Sequence, residues 1–251
     1  MAGSKKILIF VLVMILIGLA AGCLFSPVFN IVEVRADNGI NVTSGEVLEK
    51  ASIPIGVNIF RINDGKILSS IESLPYVKSA KIYRIFPDTI SLKFEEREPY
   101  AIVKYLESYA IADKYGYILE IKKENTLTTL PIIYGLDTGA FVTGQKLTDT
   151  SLTKYENCVY LFETANKINF GYIFNEVNYD DSTNVKLYIA ERDMDIIYGS
   201  VYLDDIEEKL SRLSSVLKEL GDQKGKIDMS NDDYNSKINK HKQKLRELNN
   251  N

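Results

Sequence analysis

From Ile7 to Phe25 the chain carries no charged side chain. About 19 residues at about 1.5 Å each form a helix of roughly 28 Å, close to the hydrocarbon thickness of a bilayer. This stretch constrains everything after it, because a spanning helix commits the rest of the chain to one side of a membrane. Lys5 and Lys6 precede it, and cationic flanks stay in the cytoplasm. The expectation is a cytoplasmic N-terminus over residues 1–6 and a transmembrane helix over 7–25. The bulk of the chain then lies outside a single-pass cell-membrane anchor.

Two other readings of that segment stay open. Ala20-Ala21-Gly22 before Cys23 also resembles a lipoprotein signal, with Cys23 as the lipidated residue of a lipid-anchored extracytoplasmic binding protein. Ala20 stands where a leucine is usual. Cleavage after the same small residues is the third reading. All three place the body of the chain on the same side.

Composition excludes several chemistries. The 251 residues allow one or two domains. A net charge of −4 gives nucleic acid no bulk attraction. The only histidine is His241, in a polar tail, which removes histidine triads, histidine-rich metal sites and imidazole bases. Cys23 and Cys158 are the only cysteines. Cys23 falls in the apolar segment, so neither a disulfide framework nor a metal-type spacing exists. No cofactor is implied.

Beyond Pro27, which ends the spanning helix, Phe29 to Val34 reads as a first strand. Thr43 and Glu46 have the spacing of a capping box, so a short helix with Val47, Leu48 and Ala51 on one face should follow until Pro54 and Gly56. Asn63 or Asp64 can cap a second helix carrying Ile67, Leu68, Ile71 and Leu74. Pro75 stops it. Val77 to Phe86 and Thr89 to Glu95 then form a hairpin. In its second arm Ile90, Leu92 and Phe94 alternate with Ser91, Lys93 and Glu95, and Pro87-Asp88 supplies the turn. The order is βααββ, with both helices too short to stand without the sheet. Arg84 reads as a solvated strand residue. Glu95-Glu96-Arg97-Glu98 reads as a charged edge that closes the domain.

This order resembles the polypeptide-transport-associated (POTRA) domain of the bacterial division family called FtsQ or DivIB. The resemblance lies in Phe29-Asn30-Ile31-Val32-Glu33-Val34, Gly56-Val57-Asn58-Ile59-Phe60, Leu74-Pro75-Tyr76-Val77, Arg84-Ile85-Phe86-Pro87-Asp88-Thr89-Ile90 and Glu96-Arg97-Glu98-Pro99-Tyr100-Ala101. It implies an α+β architecture: the N-terminal transmembrane helix, a βααββ POTRA domain over 26–99, a mixed β-sheet domain with helices over 100–233 and a flexible tail over 234–251.

In the second domain, Tyr100 to Tyr105, Tyr109 to Ala112 and Tyr117 to Glu120 read as strands, with Asp113-Lys114-Tyr115-Gly116 as a turn. Leu130 to Gly135 matches the family's next strand and loop. Leu152, Tyr155, Val159, Phe162 and Ala165 predict a helix over 151–168, with Cys158 beside the stripe as an inert packing thiol. Strands are expected near Ile173–Tyr179, Val185–Ala190 and Asp195–Tyr198. Glu191-Arg192-Asp193 forms a turn. Asp204 or Asp205 caps a helix with Ile206, Leu210, Leu213, Leu217 and Leu220 on one side, and Gly221 ends it. A hydrolase would have to rest on Glu96, Glu98, Glu191 or Asp193, and no second motif supports them.

The segment after that helix carries the functional expectation. The resemblance implies a last strand at a sheet edge, over Lys226, Ile227, Asp228, Met229, Ser230 and Asn231. There the family receives small bitopic division partners of the FtsB (DivIC) and FtsL type. An exposed edge offers N–H and C=O groups to an added strand. The family's aromatic at Asn231 is missing, although Tyr234 lies three residues on. The implied role is a non-enzymatic scaffold of the divisome, enriched at the division septum, with neither nucleic acid nor a small-molecule substrate. The polar, basic stretch Asn235–Asn251 reads as a mobile tail.

Overall fold

The computed structural model describes residues 2–124, 129–136, 141–201, 203 and 205–230. The expected tail therefore lies outside the described residues, as do the side chains of Ala20, Ala21 and Cys23. Two compact units divide the chain between Arg97 and Glu98.

The first unit begins with helix α1, Ala2–Phe25. Every side chain described from Lys5 to Leu19 is exposed. Among the described residues, no helix is long and apolar enough to cross a membrane. A 3-10 turn, Pro27–Phe29, comes next. Strand β1, Glu33–Ala36, then precedes helices α2, Ser44–Ala51, and α3, Asp64–Glu72. Strands β2, Val77–Ile85, and β3, Thr89–Glu96, complete it. The sheet order is β1-β3-β2, with β1 parallel and β2 antiparallel to β3. Val47, Ile67, Ile71, Ile90 and Leu92 meet in its core.

The helix starts obey their local sequence. Thr43 accepts from the Glu46 N–H while the Glu46 carboxylate accepts from the Thr43 N–H, a complete capping box. Asn63, not Asp64, caps α3 through the Lys66 N–H.

Two expectations change. The first strand starts later than the apolar alternation predicts. Phe29 sits in the 3-10 turn, and the Ile31 N–H donates to Val57 O at 2.9 Å. The chain from 29 to 32 is thus held by a neighbouring loop before it joins the sheet at Glu33. Arg84 is not a solvated strand residue either. Its guanidinium grips both Asp64 carboxylate oxygens, at 2.6 and 2.9 Å, and its Nε donates to Ile59 O at 3.0 Å. That fork ties β2 to the start of α3.

Glu96 has a similar structural task. Its carboxylate accepts from the Val42 N–H at 2.8 Å, and from the Asn41 backbone N–H and Nδ2. The loop before α2 thereby closes over the end of β3. A Cβ at Gly39 would overlap Glu96 Oε1, so glycine is what lets this loop approach.

The second unit contains an eight-stranded sheet. Strands β4, Pro99–Tyr105, β5, Ser108–Asp113, and β6, Ile118–Lys122, form an antiparallel meander. Then come β7, Ile132–Tyr134, helix α4, Asp149–Lys167, β8, Glu176–Asn178, β9, Val185–Ile189, and β10, Met194–Gly199. Helix α5, Ile206–Leu220, and β11, Gly225–Asp228, end the described fold. The order is β11-β10-β9-β8-β7-β4-β5-β6. β7 joins the two halves, lying parallel to both β4 and β8. Both helices contribute to the core.

The predicted strand at Ile173–Tyr179 shrinks to Glu176–Asn178. Upstream, the Phe170 and Phe174 rings stack at 5.0 Å and bury themselves, so side-chain packing replaces the ladder there. Cys158 is 2% exposed, and burial pushes its thiol well above the usual range.

The Glu96 clasp and the buried thiol can each be tested. Gly39→Ala should destabilise by about 1–3 kcal/mol through overpacking, and Glu96→Ala by about 1–3 kcal/mol through lost hydrogen bonds. The double variant should cost less than the sum in urea unfolding, because truncation at 96 vacates the space. Strictly additive costs would contradict the clasp. Iodoacetamide, mapped by mass spectrometry, should leave Cys158 unmodified in the folded protein and alkylate it in denaturant.

Candidate functional site

Strand β11 exists because α5 returns the chain. Ile206, Leu210, Leu213 and Leu217 are spaced along one face of α5, and each is 0% exposed. The chain leaves the helix at Gly221 and re-enters the sheet at Gly225, running parallel to β10. Met194 pairs with Gly225 and Ile197 with Asp228. Among the described residues, β10 is the sole strand neighbour of β11.

The register settles which atoms face inward. The Gly225 N–H donates to Asp193 O at 3.3 Å, and the Met229 N–H to Ile197 O at 2.7 Å. Alternation in a parallel ladder then turns the N–H of Ile227 toward β10, and those of Lys226 and Asp228 away from it. Side chains divide similarly. Ile227 and Met229 are 6% and 5% exposed within the unit's core, while Lys226 is exposed. Asp228 Oδ1 accepts from the Ser230 N–H at 3.0 Å and the Ser230 hydroxyl at 2.6 Å, so the chain bends as the strand ends. Asn231, the last residue expected at this edge, lies outside the described residues, as does Tyr234.

Two supporting residues were not singled out from sequence. Gly199 has φ +80°, and a Cβ there would meet Ser230 Cα at 3.0 Å. It lets the end of β11 sit against β10. Tyr198 carries a fully buried ring below Lys209, whose Nζ is 4.4 Å from the ring centroid. Burial, and then the Asp205 carboxylate, push its phenol well up. A glycine after an apolar strand was the only sequence signal for either.

Two acids of the hydrolase reading are engaged in bonds within their own units. Glu96 holds its own loop. Asp193 accepts from the Tyr188 hydroxyl at 3.2 Å and pairs with Lys224 at 3.4 Å. Asp205 begins α5 without a side-chain cap, and Asp204 lies outside the described residues. A groove of about 340 Å³ in the second unit is lined by residues including Tyr100, Pro131, Phe162, Tyr172 and Phe174, with no acid among them. Among the described residues, no group of three histidine, cysteine or acidic side chains could hold a metal ion.

Comparison with known proteins meets this geometry from another direction. Residues 29–97 match the POTRA domain, FtsQ-type. The cell division protein FtsQ of Syntrophotalea carbinolica is 27% identical over 205 residues, 81% of this chain and 70% of that protein. The cell division protein DivIB of Clostridium acetobutylicum is 28% identical over 210 residues, 83% and 82% of the two chains. DivIB of Clostridium botulinum strain Hall is 27% identical over 221 residues, 85% of this chain and 82% of that one. With a match to a division-type POTRA domain over residues 29–97 and such relatives along most of its length, the chain is similar to the FtsQ and DivIB cell division proteins.

Proposed function

We propose that this protein is a single-pass membrane scaffold of the divisome. It captures bitopic partners of the FtsB/DivIC and FtsL type on the extracytoplasmic side, at β11, and helps couple them to septal wall synthesis. Helix α1 is its anchor, with the N-terminus cytoplasmic. The charge-free run from Ile7 to Phe25 supports that role. Anchoring raises the local concentration of partners in the same membrane, and strand addition fixes their geometry.

The observation that carries the proposal is the terminal position of β11, with Lys226 turned away from β10. Proline is tolerated at a sheet edge where its nitrogen faces outward. It is not tolerated at Ile227 or Met229, whose N–H groups serve the protein's own ladder. Lys226→Pro should therefore leave the thermal midpoint nearly unchanged. It should weaken binding of the extracytoplasmic part of a DivIC–FtsL-type complex roughly tenfold or more, the scale of one lost backbone bond plus the pairing it nucleates. Lys226→Ala keeps the N–H and should bind nearly normally. Equal binding by the proline and alanine variants would remove β11 as the docking strand.

A further inference from the structure

The first unit carries an exposed apolar patch that its own fold does not use. Val28, Val32, Ile55, Ile85 and Phe86 are 63%, 69%, 60%, 50% and 57% exposed, and Phe60 is 38% exposed. They come from three segments bound to one another. Gly56 donates to Ile31 O at 2.8 Å, Ile59 to Phe29 O at 2.8 Å, and Val32 to Asp88 O at 2.9 Å. The rings of Phe29, Phe60 and Phe86 lie 5.4–6.4 Å apart, with Phe60 and Phe86 stacked. Isolated exposed apolar residues are ordinary, but a contiguous aromatic patch marks a docking surface.

Its place in the chain selects the occupant. Phe25, the last residue of α1, is 77% exposed. Phe29 is four residues later, at most about 14 Å away even in extended chain. The link is tighter than that, because residues 27–29 are a 3-10 turn and Asn58 Nδ2 holds Ser26 O at 3.2 Å. The headgroup layer beyond the hydrocarbon is roughly 5–8 Å thick on each side. An anchor that ends at Phe25 keeps Phe29, and the Phe60 and Phe86 rings beside it, within reach of the lipid headgroups. Exposed Arg61, its guanidinium 6.0 Å from the Phe25 ring, supplies a cation at the depth of lipid phosphates.

We propose that this patch seats the POTRA unit in the lipid interface beside the outer end of α1, with Phe60, Ile85 and Phe86 at the boundary between the headgroups and the upper acyl chains. The proposal rests on α1 being a membrane anchor, and its test separates the two. The chain has no tryptophan, so one substitution gives one fluorophore. Full-length Phe86→Trp, in phosphatidylcholine–phosphatidylglycerol vesicles, should emit at shorter wavelength than Ile40→Trp. Lipids brominated near the headgroup should quench it several-fold more strongly than that control, and more strongly than lipids brominated at the chain ends. Ile40 is 96% exposed, in the loop that Glu96 holds at the other end of β3. Ile85→Trp provides a second probe should Phe86→Trp misfold. Val13→Trp, within α1, reports the anchor. Quenching at 13 with none at 85 or 86 overturns the interfacial seat and leaves the patch to a protein partner. No quenching at 13 overturns the anchor itself.

Discussion

The edge strand depends on the apolar stripe of α5. Two neighbouring strands can run parallel only if the chain between them crosses back, and α5 is that crossing between β10 and β11. Fixing the backbone of four strand residues costs roughly 4–8 kcal/mol. Ladder hydrogen bonds contribute only about 0.5–1.5 kcal/mol each, too little to order so short a strand. The balance comes from apolar burial, at roughly 1.5–3 kcal/mol for each large side chain. Ile227 and Met229 enter the same core as Ile206, Leu210, Leu213 and Leu217. Without the helix, the terminal segment has no reason to lie along β10.

In the first unit the same problem is met with charged clasps. A three-stranded sheet with two helices of eight and nine residues has little core to spend on its loops. The loops are therefore held by carboxylates. Glu96 gathers the N–H groups at 41 and 42, and Asp64 receives the Arg84 fork at the start of α3. Glu46 completes the cap of α2. Glu96, an acid that the hydrolase reading would have needed for chemistry, is here a backbone restraint.

How much the sequence disclosed depends on the range of the interaction. Local signals were legible: the Thr43–Glu46 box, the alternation of Ile90 and Leu92, and the stripe of α5 all appear as their spacing predicts. The edge position of β11 came from the family resemblance, because no periodicity says which strand is last in a sheet. Longer-range facts were hidden. Nothing near Arg84 points to Asp64, twenty residues earlier. Nothing in Leu130 to Gly135 shows that β7 will pair in parallel with both β4 and β8 and so join two meanders. Phe29 to Val34 has strand composition, yet its first half bonds to the loop at 57–59, because sheet pairing competes with any other backbone partner within reach. Of the edge residues, Lys226 and Ile227 looked alike as strand positions, and only the register with β10 separates an outward N–H from an inward one.

That register also bears on partner choice. In strand addition, main-chain bonds supply affinity, and side chains on the two faces supply selectivity. One face of β11 is Ile227 and Met229, already buried in the protein's own core. The other face carries Lys226 and Asp228, opposite charges two residues apart. A strand laid beside β11 would place alternate residues next to these two. Opposite-charge pairs across strands contribute roughly 0.2–1 kcal/mol, and like charges cost a similar amount. Two such positions give a complementary strand at most about a thirtyfold gain over an uncharged one. In the docking proposed at β11, charge on this face sets register and orientation, and the backbone ladder carries the larger share of the affinity.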